Sequence, residues 1–247
     1  MTTANERSVA PTRMDTGVVP GRSEPGPFDP TGRYKFSVMS TSHSRTRSFS
    51  MLIIVSLLIV LPTPRALAAP RCFGKAATRV GTNVRDEIKG TPGNDVIVSQ
   101  GGNDQIFGRG GRDRICTGSG RDGVQGGSGK DSIAGGAGRD FLTAESGNDR
   151  VFGGSDSDSL RGGGGNDSLS GERGRDSISG EGEDDRVSGG GGRDFIDGNE
   201  GADMIDGGTG GDSIDGSAGR DELHGVTGND SLDGGKGGDR LLGDSGR

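Results

Sequence analysis

The stretch GGSGKDSIAGGAGRDFL, residues 126–142, decides the fold. It holds nine-residue units in tandem: Gly126-Gly127-Ser128-Gly129-Lys130-Asp131-Ser132-Ile133-Ala134, then Gly135-Gly136-Ala137-Gly138-Arg139-Asp140-Phe141-Leu142 and onward. Each unit crowds glycine into its first four positions, sets an aspartate sixth and an aliphatic eighth. The spacing persists in both directions. Aspartates stand at Asp86, Asp95, Asp104, Asp113, Asp122, Asp131, Asp140, Asp149, Asp158, Asp167, Asp176, Asp185, Asp194, Asp203, Asp212, Asp221, Asp230 and Asp239, eighteen in succession with no insertion. Two residues after each comes an aliphatic, from Ile88 to Leu241. Glycine lies two residues before every aspartate except at Val84, Asp156 and Glu183, and five before except at Ser99, Thr117 and Ala144.

A short fixed period means one small unit stacked on copies of itself. Glycine adopts positive φ and close backbone approach cheaply, so six residues of each unit read as a loop. The other three, such as Ser132-Ile133-Ala134, read as a strand whose middle side chain points one way and its neighbours the other. The aliphatics then line an interior, while Arg114, Ser132 and Ser177 face water. Two units, 18 residues, close one coil with a strand and a loop on each side. The expected fold is therefore all-β: a parallel β-roll (β-solenoid) of 18 nonapeptide repeats with two short parallel sheets.

Composition agrees with a stack and excludes an ordinary globular core. Only 27% of the 247 residues are hydrophobic, 53 are glycine and none is Trp. The net charge is −7, but residues 1–68 are basic, so residues 69–247 carry 21 basic against 32 acidic groups. A nucleic-acid footprint is absent, and a surface of this sign attracts cations. Stacking also sets carboxylates about 5 Å apart down each edge, where they repel by roughly 3 kcal/mol at an intermediate dielectric. A cation between them removes that repulsion. Calcium suits the site, since Asp oxygens and loop carbonyls are hard donors, whereas zinc or copper want His and Cys.

These residues resemble the RTX nonapeptide, Gly-Gly-x-Gly-x-Asp-x-U-x with U a large aliphatic. Complete matches run Gly126 to Ile133, Gly135 to Leu142, Gly162 to Leu169, Gly189 to Ile196, Gly207 to Ile214 and Gly234 to Leu241, and the resemblance covers residues 81–243. It implies a right-handed β-roll with two columns of calcium loops, each Ca2+ lying between the loops of successive coils, up to 16 in all. The implied ligands are the eighteen aspartates together with Gly126, Gly129, Gly135, Gly138, Gly162, Gly165, Gly189, Gly192, Gly207, Gly210, Gly234 and Gly237. Seven gaps touch an irregular loop at Asp86, Asp149, Asp158 or Asp185, which leaves nine intact. A chain this poor in apolar residues is expected to fold only with its metal. RTX blocks also accompany extracellular enzymes and toxins, so an accessory module is the alternative to a free structural or adhesion-type protein.

The remaining features concern the ends. Residues 51–61, MLIIVSLLIVL, are too short to span a bilayer and read as the apolar segment of a secretory signal. Arg45 and Arg47 precede it and Ala66-Leu67-Ala68 offers a cleavage site, giving a secreted product that starts at Ala69, without a membrane anchor. Initiation at Met39 gives a signal of ordinary length, so residues 1–38 read as a mis-assigned start or a disordered extension. Residues 69–80 read as an N-terminal cap on a roll spanning 81–247. The cap sequence, with Cys72-Phe73-Gly74 and Val80-Gly81-Thr82, resembles the start of secreted actinobacterial repeat proteins. Cys72 and Cys116 form one disulfide in an oxidising compartment, or stay as two free thiols. Residues 243–247 carry no capping motif, so end-to-end self-association is expected at the open coil edge. No His, Cys or Ser constellation serves catalysis: His224, the sole histidine of residues 69–247, falls on the outward side of a strand. Five Phe, no Tyr and no Trp in that region argue against a sugar-binding platform.

Overall fold

The computed structural model describes residues 69–243 and 245. The expected signal peptide and the extension before it lie outside the described residues. Every regular element among those described is a strand. One sheet, termed the first, stacks Glu87–Lys89, Gln105–Gly110, Gly123–Ser128, Phe141–Ser146, Ser159–Gly164, Ser177–Gly182, Phe195–Glu200, Ser213–Asp215 and Ser231–Asp233. The second stacks Arg79–Val80, Val96–Val98, Arg114–Ser119, Ser132–Ala137, Arg150–Ser155, Ser168–Arg173, Arg186–Gly191, Met204–Thr209, Glu222–His224 and Arg240–Leu242. The chain alternates between the sheets, and each strand pairs in parallel with the strand one coil away. Leu142, for example, lies in register between Val124 and Leu160. The result is a β-solenoid of about nine turns.

The eighth-position aliphatics form the core. Those from Ile97 to Leu223 are buried, Ile88 and Leu232 pack against them from the ends, and Leu241 is exposed.

The strands are longer than three residues through the body of the roll. In Phe141–Ser146 the ladder pairs Phe141, Leu142 and Thr143, skips Ala144 at the corner, and resumes with Glu145↔Gly163 and Ser146↔Gly164. The physical reason is that buried loop amides need partners, and the coil above or below supplies them. A turn of three residues remains, such as Gly138-Arg139-Asp140. Only near the ends, as at Ser213–Asp215, do three-residue strands occur.

Ahead of the coils, Arg71–Cys72 and Lys75–Ala76 form an antiparallel hairpin. A disulfide joins Cys72 to Cys116 with Cα atoms 5.8 Å apart. Phe73, at the hairpin tip, meets Phe152 with ring centroids 6.0 Å apart.

Candidate metal centre

The repeat aspartates are packed into the corners of the coils. From Asp95 to Asp221 each is buried, and several are fully so. They form two ladders of rungs: the amide of each aspartate donates to Oδ1 of the aspartate one coil later, from Asp86→Asp104 to Asp221→Asp239, at 2.7 to 3.1 Å. One oxygen of each carboxylate is thereby used by the protein. The other is not. From Asp104 to Asp230, Oδ2 is buried without a hydrogen-bond partner. A buried carboxylate oxygen left bare costs kilocalories, and repeating it coil after coil makes the column a demand for positive charge.

Asp86 and Asp95 differ. Thr82 donates its amide to Asp86 Oδ2 at 2.6 Å and its hydroxyl at 2.9 Å. Thr91 does the same for Asp95, at 2.6 and 2.8 Å. Arg79 Nε lies 3.5 Å from Asp95 Oδ1. Spacing alone counts the gap between Asp95 and Asp113 as intact, but one of its carboxylates already has protein partners on both oxygens.

Electrostatics follow the same division. Burial pushes the carboxyls of Asp140, Asp149, Asp158 and Asp185 up to about 7; the rung amide pulls each back, and neighbouring carboxylates add to the rise. For Asp113, Asp167 and Asp203 the same contest ends at about 6. Burial acts upward on Asp95 too, but Thr91 and Arg79 outweigh it and hold that carboxyl below its ordinary value.

Glycine is needed where coils touch. A Cβ on Gly120 would stand 1.6 Å from Gly102 O, and one on Gly129 would stand 1.7 Å from Gly111 O. The carbonyls two residues before each aspartate are thus aimed at the next coil, close to the carboxylate column. The glycines five residues before sit against their own aspartates: a Cβ on Gly135 would lie 2.4 Å from Asp140 Oδ2. Ser99, Thr117 and Ala144 nevertheless fit there, buried, and Ser99 Oγ donates to Thr117 O at 2.8 Å. At the other irregular loops, Asp156 and Glu183 hold positive φ of 78° and 68°. Their carboxylates accept the amides of Gly138 and Gly165, at 3.2 and 2.7 Å. They also raise the neighbouring Asp140, Asp158, Asp167 and Asp185.

Two contributions escaped the sequence reading. The residue four before each aspartate takes positive φ in every unit from Gln100 to Gly235, although side-chain residues such as Arg109, Glu145 and Asn199 often stand there. The residue just before the aspartate can add a rung of its own, as when Asn94 Oδ1 accepts the amide of Arg112 at 2.6 Å. Asn at five of the eighteen positions, Asn94, Asn103, Asn148, Asn166 and Asn229, was the available signal.

On each edge the donor set is one carboxylate per coil plus backbone oxygens. Among the described residues no three His, Cys, Asp or Glu side chains gather in one place. Oxygen-only coordination of this sort suits a hard cation that tolerates irregular geometry. The chain matches the model of RTX calcium-binding nonapeptide repeats in overlapping segments, 80–115, 89–124, 125–160, 152–187, 161–196, 179–214 and 215–247. It belongs to the RTX calcium-binding repeat family. No curated protein matches it. RTX repeats bind Ca2+, and the buried aspartates of this roll fit multiple calcium sites.

Proposed function

We propose that this RTX protein is secreted, non-catalytic and structural or adhesion-type in role, and that it folds on meeting calcium outside the cell. The observation that carries the reading is the series of buried, partnerless Oδ2 atoms from Asp104 to Asp230. Bound calcium would supply the positive charge those oxygens lack. The aspartates and the glycine-loop carbonyls are the proposed ligands, with the rung amides holding each carboxylate so that Oδ2 stays free. The short leader-like segment and Ala66-Leu67-Ala68 support secretion, as does the Cys72–Cys116 disulfide. The non-catalytic reading is supported by His224, whose Nε2 pairs with Glu222 Oε1 at 3.1 Å on the roll surface.

Circular dichroism tests the proposal. Chelated protein should give a disordered spectrum that becomes β-rich in calcium but not in magnesium, which demands tight octahedral geometry and keeps its waters. A spectrum unchanged between chelator and saturating calcium would sink the reading.

A further inference from the structure

The two edges of the roll, which share one backbone design, carry different charge. On the edge that leads into the first sheet, the four residues ahead of each aspartate include Arg85, Arg121, Arg139, Arg173, Arg175 and Arg193 against Asp156 and Glu172. On the opposite edge, five basic residues are balanced by five acidic ones. All six arginines of the first edge are exposed. None forms an ion pair: among the described residues, pairs occur only at Arg79–Asp95, Lys89–Glu87, His224–Glu222 and Arg240–Glu222.

The turn itself does not need these arginines. Asn103, in the same column, accepts the amide of Arg121 at 2.9 Å, and Ser157 accepts that of Arg175 at 3.3 Å. An arginine side chain has no acceptor and forgoes that rung; Arg121 lies over Phe141 and the charge of Arg139 pulls Asp158 down, while all of these side chains stay exposed as donors. Arg121, Arg139, Ser157, Arg175 and Arg193 succeed one another at one coil each, about 4.8 Å apart. Between Arg139 and Arg175 lies a groove of about 290 Å³, lined also by Phe141, Ser157, Ser159 and the buried Asp140 and Asp158.

We propose that this ridge binds a linear phosphodiester polymer without bases, with its central phosphate between Arg139 and Arg175 over the hydroxyls of Ser157 and Ser159. Guanidinium forks and hydroxyls are donors matched to phosphate oxygens, and a row of them one coil apart suits a chain with regularly repeated charge. The exposed rings beside the ridge make no row of stacking platforms for bases: Phe141 has Arg121 over it, 5.0 Å from its centroid, and Phe195 lies three coils away. The proposal rests on the calcium reading: Asp140 and Asp158 oppose an anion until cations offset them.

The test uses poly(glycerol phosphate) titrated into the calcium-loaded protein by calorimetry, with circular dichroism recorded on every sample. Saturable binding that weakens as salt rises is expected. The double variant Arg139→Glu, Arg175→Glu should lose roughly tenfold or more in affinity, whereas Arg112→Glu, Lys130→Glu on the other edge should lose less than about threefold. Both should keep the wild-type spectrum. No binding by folded wild type, or equal losses on the two edges, would overturn the ridge. Tighter binding of single-stranded poly-dT would reassign it to nucleic acid. A chain that stays unfolded in calcium refutes the calcium reading and, with it, the assembled ridge.

Discussion

Asp86 and Asp95 occupy the same place in the repeat as the aspartates below them, yet their Oδ2 atoms meet different surroundings. In the first coil, Thr82 and Thr91 give both an amide and a hydroxyl to Oδ2. From Asp104 to Asp230, Oδ2 meets no donor. The difference is a backbone one. Thr82 and Thr91 keep negative φ, whereas every residue at the same position from Gln100 onward has positive φ. β-branching alone does not impose this, since Val226 takes positive φ at the same place; at Thr82 and Thr91 the hydroxyl and amide both reach the carboxylate and hold the peptide turned toward it. The backbone at this one position therefore separates an aspartate satisfied by protein from one whose Oδ2 is left bare. The first coil is also clamped by the Cys72–Cys116 bond and by Arg79, which stands where an aliphatic would, level with Ile97.

Acid should split the two regions most widely. Interior carboxyls such as Asp140 and Asp185 are raised from 3.8 to about 7 in the metal-free roll. Their contribution to its stability is complete below about pH 4 and is lost as the pH climbs through 7. Asp95 is lowered, so its contribution is present at neutral pH and lost in acid. Chelated protein should accordingly gain β signal between pH 7 and 4, with hydrogen exchange slowing in the interior but not around Asp95. Protons compete for the same oxygens, so the calcium midpoint should rise over the same interval. A midpoint that falls on acidification would contradict the assignment.

Removing single aspartates is expected to have the next largest effect. Asp212→Ala takes a ligand from the gaps with Asp194 and Asp230 and should lose roughly two ions, about 3 kcal/mol at tenfold calcium excess. Asp95→Ala should leave the ion count almost unchanged, and Asp158→Ala, beside the irregular Asp156 loop, should fall between. Calorimetric titration distinguishes them; equal losses at all three would remove the distinction between coils.

The smallest change reverses the comparison. Thr91→Gly permits positive φ and withdraws the hydroxyl, so Asp95 should behave like an interior aspartate. The chelated first coil should loosen by about 2 kcal/mol, the scale of a hydrogen bond to a charged group, and calcium should restore it. Exchange at Asp95 and Val96 would report both steps, and no recovery in calcium would count against the role given to threonine.

The coil, its parallel stacking and the interior column were legible in the sequence because one aliphatic and one aspartate recur every nine residues without a slip. Leu142 between Val124 and Leu160 follows from period alone. The rungs were not legible, because an amide one coil away is invisible to a pattern read along the chain. The position four before the aspartate was legible only in part: Gly127 and Gly136 mark it in their units, but Arg109, Glu145 and Asn199 accept positive φ there without a glycine. Thr82 and Thr91 could have been noticed as departures at that position, but only the geometry shows that they donate to the carboxylate.

The central claim is that the bare Oδ2 atoms are calcium ligands. A crystal structure of the protein grown in calcium, with ions located by anomalous scattering, tests it most directly. Ions should lie within about 2.3 to 2.6 Å of Oδ2 at the interior aspartates, while Oδ2 of Asp86 and Asp95 stays with its threonine. An intact roll whose interior Oδ2 atoms have no ion, or whose ions sit instead on surface carboxylates such as Asp197, Asp215 and Asp233, would contradict the account.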